Sequence, residues 1–195
     1  MQDKDALLIV DVQNDFCPGG ALAVADGDKV VPVLNRYIEG FKKARLPIIA
    51  TRDWHPEKTS HFETHGGVWP PHCIQGTTGA AFHPGLGLPD DVVIVSKGMA
   101  SDEDSYSGFQ GRDEKGTPLA DLLLRRGVER LFVGGLATDY CVKFTVLDGL
   151  KEGFKVVLLQ DAIRGVDLKP ADSERALAEM IRAGAKKADY ESAIF

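Results

Sequence analysis

Short, nearly continuous apolar runs punctuate this chain at Ala6–Val10, Pro47–Thr51, Val92–Ser96, Arg130–Gly134 and Lys155–Gln160. Runs of that length and character read as strands covered on both faces, as in a parallel sheet. Between them, about Asp28–Ala44, Pro118–Arg126, Asp139–Lys151 and Pro170–Ala183, the pattern changes to that of helices. A last short strand is expected near Lys186–Asp189. Strands and helices in alternation predict an α/β fold: three α/β/α layers around a doubly wound, mainly parallel sheet of five or six strands, Rossmann-like in plan.

The polar residues that interrupt this pattern fall at the ends of the runs. Ala6–Val10 stops at Asp11, Pro47–Thr51 leads into Arg52-Asp53-Trp54-His55, Val92–Ser96 stops at Lys97, and the fourth run leads to Cys141. In open α/β sheets ligands bind outside the carboxyl ends of the strands, so Asp11, Asp53, His55, Lys97 and Cys141 are expected to share one crevice. The segment Gly134-Gly135-Leu136-Ala137-Thr138-Asp139-Tyr140-Cys141-Val142 adds a sharp turn from strand to helix. With Thr138 as its N-cap, Cys141 falls in the first helical turn, where unpaired N–H groups and the helix dipole favour a thiolate and can hold an oxyanion.

One region breaks the rhythm. From Trp54 to about Asp91 neither period holds, and His55, His61, His65, His72 and His83 are scattered among Gly and Pro. Trp54, Phe62 and Trp69 argue that this stretch is ordered, and an ordered irregular segment of such length reads as a wall of the active site. Asp53-x-His55 puts a carboxylate and an imidazole on one side of an extended segment. With His61 and His72 they make an N/O donor set that suits Zn²⁺ and tolerates Fe²⁺ or Mn²⁺. His65 and His83 read as loop residues, and Cys73 diverges from its neighbour His72, so only one of that pair faces an ion easily.

Composition narrows the class. The 195 residues are 44% hydrophobic, with no apolar run near the ~20 residues of a membrane span, so one soluble globular domain over 1–195 is expected. The net charge of −6, without a basic stretch, argues against nucleic acid and towards a small-molecule partner. Three cysteines (Cys17, Cys73, Cys141) without a C-x-x-C pair, and a start lacking the basic and apolar parts of a signal peptide, point to reduced thiols in the cytoplasm.

Asp11-Val12-Gln13-Asn14-Asp15-Phe16, Arg52-Asp53-Trp54-His55-Pro56, Trp69-Pro70-Pro71-His72-Cys73, Ser96-Lys97-Gly98, Asp104-Ser105-Tyr106-Ser107-Gly108-Phe109 and Gly135-Leu136-Ala137-Thr138-Asp139-Tyr140-Cys141-Val142 together resemble the nicotinamidase/pyrazinamidase group of the isochorismatase-like cysteine hydrolases. The resemblance runs from about Ala6 to Ala188. It implies a catalytic triad of Asp11, Lys97 and Cys141, and an oxyanion hole from the N–H groups of Ala137 and Cys141. It also implies metal ligands Asp53, His55 and His72, with His61 matching a fourth ligand found in some members only. A non-proline cis peptide between Leu136 and Ala137 is implied too, as are ring contacts from Phe16, Trp69 and Tyr106 and, as is common in the family, a homo-oligomer. The implied reaction is hydrolysis of nicotinamide, and of pyrazinamide, through a cysteine thioester, with a divalent ion orienting the pyridine ring.

Two other readings stay open from the sequence. A sibling cysteine amidase for carbamoyl or ureido substrates keeps Asp11, Lys97 and Cys141 but has no need of the Asp53/His55/His72 set. A non-catalytic thiol- or metal-binding protein would oxidise Cys141 instead of acylating it, although no resolving partner is evident.

Overall fold

The computed structural model describes residues 2–193, so Met1 and residues 194–195, the ends of the expected 1–195 unit, lie outside the described residues. Six strands form: β1 (Asp5–Val10), β2 (Ile48–Asp53), β3 (Val93–Lys97), β4 (Arg130–Leu136), β5 (Lys155–Arg164) and β6 (Lys186–Ala188). Four α-helices connect them: α1 (Val30–Ala44), α2 (Leu119–Arg125), α3 (Lys143–Lys151) and α4 (Asp172–Arg182). All the pairings are parallel, in the order β3-β2-β1-β4-β5-β6. The "mainly parallel" sheet is thus wholly parallel.

The alternation of side chains along β1 sorts the core into two halves. Leu7 and Ile9 point to the face covered by α1, where Val30, Val31, Leu34, Tyr37, Ile38 and Phe41 supply a buried stripe. Ala6, Leu8 and Val10 point to the opposite face, with Leu119, Leu122 and Leu123 of α2, Val146 of α3 and Met180 of α4. The sheet is therefore buried on both sides, which is why its strands read as continuous apolar runs.

Strand order runs outward from β1 in both directions, so the switch point lies between β1 and β4. The two strands come unusually close there. Gly135 sits at φ +127, and a Cβ on it would lie 2.0 Å from the Val10 carbonyl oxygen, so only glycine fits.

Several boundaries differ from the expectation. β2 and β3 run on to include Asp53 and Lys97, and β5 continues to Arg164, passing an irregularity in its pairing with β4 between Val133 and Gly135. Thr138 does not cap a helix. The Leu136–Ala137 bond is cis, Ala137 holds the extended cap position without a side-chain cap, and Thr138–Val142 forms a π-helical turn before α3 begins at Lys143. The Val142 N–H reaches back to the Ala137 carbonyl at 3.1 Å, the wide spacing of a π turn, a feature common at functional sites.

Candidate active site

The four strand-end residues converge as expected. Asp11 follows β1 in a left-handed conformation (φ 49), Asp53 ends β2, Lys97 ends β3, and Cys141 lies in the π turn after β4. Lys97 is the hub and is fully buried. Its Nζ lies 2.9 Å from Asp11 Oδ2, donates a short hydrogen bond to Asp53 Oδ1, and is 3.5 Å from Cys141 Sγ and 3.3 Å from the Ser105 carbonyl. Asp11 Oδ1 accepts from Thr51 Oγ1 at 2.6 Å, whereas Oδ2 has no directed hydrogen bond and keeps a lone pair for an incoming proton.

Burial and charge compete over each group. Burial by itself would discharge Lys97, but the carboxylates of Asp11 and Asp53 win and hold its pKa well above the usual lysine value. Burial pushes the Asp11 carboxyl up; Lys97 pulls it down and Asp53 pushes it up again, leaving it raised and a better proton acceptor. Burial also pushes the Cys141 thiol well above its ordinary value, despite Lys97, because Asp11 and Asp53 lie close. The turn alone thus does not make the thiolate expected from the helix dipole. That direction favours the thiol over the thiolate.

A second cluster adjoins the first. One ring nitrogen from each of His55, His61 and His72 meets the others within 4.8 Å, and all three rings are buried. Each is held through Nδ1: His55 against the Gly98 carbonyl at 3.1 Å, His72 against the Pro70 carbonyl at 2.7 Å, and His61 against Asp104 Oδ1 at 2.6 Å. A carbonyl accepts and never donates, so Nδ1 of His55 and of His72 carries a proton, and Nε2 is the nitrogen left to meet an ion. His55 Nε2 is buried without any partner, a costly orphan unless something cationic meets it. Asp53 Oδ2 lies 3.7 Å from His55 Nε2 and 3.9 Å from His72 Nε2, too far to satisfy either. Burial pushes the His72 imidazole down to about 4, so it is neutral at pH 7, and His61 is likewise lowered. Three buried imidazoles, beside a carboxylate that Lys97 holds well below the usual range against the effect of burial, make a donor set that suits a divalent metal.

Of the expected metal set, His61 is thus in the tightest group, while Asp53 stands between the clusters, one oxygen on Lys97 and the other towards the imidazoles. Cys73 is fully buried outside both clusters, and its N–H is bound to Asp15 Oδ2 at 2.7 Å.

One cavity opens onto both clusters. Cys141, Ala137, Asp53, His61 and His72 line it, together with the expected ring contacts Phe16, Trp69 and Tyr106. Trp69 Nε1 donates to Tyr106 Oη at 2.9 Å, and Trp69 packs edge-on against Tyr140. The Ala137 N–H has no backbone acceptor among the described residues, which leaves it free for an oxyanion.

Sequence reasoning missed several contributors. Gln13 clamps the Asp53 backbone from both sides, Nε2 to the carbonyl and Oε1 from the N–H, each at 2.8 Å. Its position two residues past Asp11 was a signal for this. Tyr140 and Val166 also line the cavity. Tyr140 adjoins Cys141 in sequence, but nothing marked Val166, which is brought in by the buried Asp139 carboxylate accepting the N–H groups of Val166 and Asp167, each at 2.9 Å.

Residues 5–192 match the Isochorismatase domain family. The chain is 45% identical over 197 residues to the nicotinamidase of Escherichia coli (strain K12), covering 92% of each. Its fold is similar to that of the pyrazinamidase of Pyrococcus horikoshii in complex with zinc, at a TM-score of 0.89 and 50% identity over 96% of this chain and 99% of that one. A protein from L. infantum in complex with nicotinate aligns at a TM-score of 0.87 and 39% identity, covering 98% and 96%.

Proposed function

The chain belongs to the isochorismatase family, and on that premise we propose that it is a nicotinamidase, an amide hydrolase that converts nicotinamide to nicotinate and ammonia and also accepts pyrazinamide. The observation that carries this reading is the shared cavity: the thiol of Cys141 and two of the clustered histidines face the same small volume. A carbamoyl amidase would have no use for that second cluster.

Asp11, Lys97 and Cys141 act as the catalytic triad. Asp11 takes the Cys141 proton, and Lys97, already between the carboxylates, steadies the charge as the thiolate attacks the carboxamide carbon. The N–H groups of Ala137 and Cys141 receive the oxyanion, a contribution on the order of 3 kcal/mol per donor in other enzymes. Asp11 then passes its proton to the departing ammonia. Water attacks the thioester, Asp11 takes a proton again, and nicotinate leaves as the Cys141 thiol is restored. Phe16, Trp69 and Tyr106, which line the cavity, wall the ring.

Asp53, His55, His72 and His61 would hold a divalent ion, and the imidazole-rich donor set favours zinc over Fe²⁺ or Mn²⁺. When bound, such an ion supplies a Lewis-acid anchor for the pyridine nitrogen.

The proposal extends to the setting of the enzyme. We expect one domain over 1–195 and a reducing, cytoplasmic compartment, supported by three unpaired, buried thiols. No helix among the described residues is long and apolar enough to cross a membrane. The net charge of −6 disfavours nucleic acid as a partner. A homo-oligomer is also proposed, for which Val68, Leu124 and Leu168 offer exposed apolar side chains.

The test is ammonia release from nicotinamide by purified protein, run alongside a chelated sample and a Cys141→Ala variant. Activity that requires both thiol and ion is expected. Zinc-replete protein that releases no ammonia would refute the substrate, and carbamoyl compounds would be the next to try.

A further inference from the structure

The three clustered histidines are not held alike. His55 and His72 lean on backbone carbonyls, which no substitution of a side chain removes. His61 leans on a side chain, the carboxylate of Asp104, at 2.6 Å. The His61 ring is buried, whereas 59% of the Asp104 side chain is exposed, so a solvent-facing charge reaches inward to a buried imidazole. The two residues sit on different loops, His61 on the irregular segment after β2 and Asp104 on the loop between β3 and α2.

We propose that Asp104 is the positioning residue for His61, and that through this contact His61 becomes a direct ligand of the ion and sets how tightly it is kept. The inference rests on the proposal above that the histidine cluster holds a divalent metal. Two effects act together. The carboxylate accepts from Nδ1, which fixes the tautomer and aims Nε2 at the other two imidazoles, and its charge makes the ring a stronger donor than a carbonyl would.

The loop is built to present that carboxylate. Glu103 Oε2 accepts the N–H groups of Met99 and Ala100 at 3.1 and 3.2 Å, and Glu103 Oε1 accepts from Ser105 Oγ at 3.0 Å, which stiffens the backbone on both sides of Asp104. The two loops are joined independently by the Ser60 N–H to the Ser101 carbonyl at 2.8 Å. Removing the Asp104 carboxylate therefore leaves the loops docked while freeing the ring.

The test measures zinc affinity by competition with a chromogenic chelator, with the melting temperature of the metal-free protein recorded beside it. Asp104→Ala should weaken zinc binding about 10- to 100-fold, the usual range for losing the partner of a metal-bound histidine. Asp104→Asn, which keeps an acceptor but not the charge, should fall between it and the wild type. Asp102→Ala, on the same loop, should change nothing, and the melting temperature of metal-free Asp104→Ala should match that of the wild type. His61→Ala should weaken binding, and adding Asp104→Ala to it should cost little more. Wild-type affinity in Asp104→Ala, or losses that add in the double variant, would overturn the inference while leaving the metal site standing. Wild-type protein that binds no zinc would overturn both.

Discussion

Replacing Lys97 with Met removes the cation that lies between two buried carboxylates while nearly preserving volume. At 2.9 Å and an effective dielectric near 20, the attraction of Lys97 for Asp11 alone is ~6 kcal/mol before the cost of burying the charges. Breaking such a pair by deleting one partner typically destabilises a protein by about 3–5 kcal/mol, because the remaining charge is left buried and alone. Here two carboxylates are stranded, so the upper end is expected. The sign with pH follows. Without Lys97 both carboxyls rise above the unfolded value of about 3.9, so the folded variant binds more protons than the unfolded chain. Its deficit relative to wild type is therefore greatest near pH 8 and shrinks as pH falls towards about 5. Urea unfolding of metal-stripped protein measures this, with no ion standing in for the lost ammonium. Nicotinamide hydrolysis should be abolished in the same variant. A deficit that is flat or grows on acidification would refute the charge argument, and a fully active variant would refute the triad.

Further outcomes follow from the same geometry. Cys141→Ser should lower turnover by on the order of 10⁵-fold or more, yet still bind nicotinamide in a calorimetric titration. Chelation should cut activity about a hundredfold or more by loosening the ring, and added zinc should restore it; undiminished turnover in chelated protein would count against the anchor. Cys141 lines the cavity, whereas Cys17 and Cys73 are buried away from it, so at about pH 8 iodoacetamide should label Cys141 first, through the cavity. Peptide mass spectrometry that found Cys17 modified first would contradict this. Gly98→Ala puts a Cβ 2.4 Å from His55 Cε1 at φ +64, so it should cost about 1–3 kcal/mol and lower zinc content, read from melting curves and metal analysis.

Much of this was legible in the chain. The strands announced themselves because a sheet covered on both faces demands apolar side chains in both directions, and Asp11, Asp53, Lys97 and Cys141 stood out because each ends or follows such a run. Boundaries were less legible: Asp53 and Lys97 are polar yet belong to their strands, since they pair with each other across β2 and β3. Thr138 looked like a cap because Ser and Thr usually are, but the π turn after the cis bond places Ala137 there instead. Val166 carried no signal at all, and the motif containing Asp104 gave no hint of its contact with His61, since the partners of both lie on distant segments.

The sequence by itself determined the α/β plan, the crevice at the strand ends and the reactive groups that gather there, because burial period and strand polarity are local properties. Tertiary structure alone decided what those groups are. Burial and the two nearby carboxylates push the Cys141 thiol up, and the same carboxylates hold a buried Lys97 above the usual lysine value. The long irregular segment between β2 and β3 folds back on itself to bring His55, His61 and His72 to one point. A pKa and a ligand geometry depend on distances between segments far apart in sequence, and those distances exist only once the chain has folded.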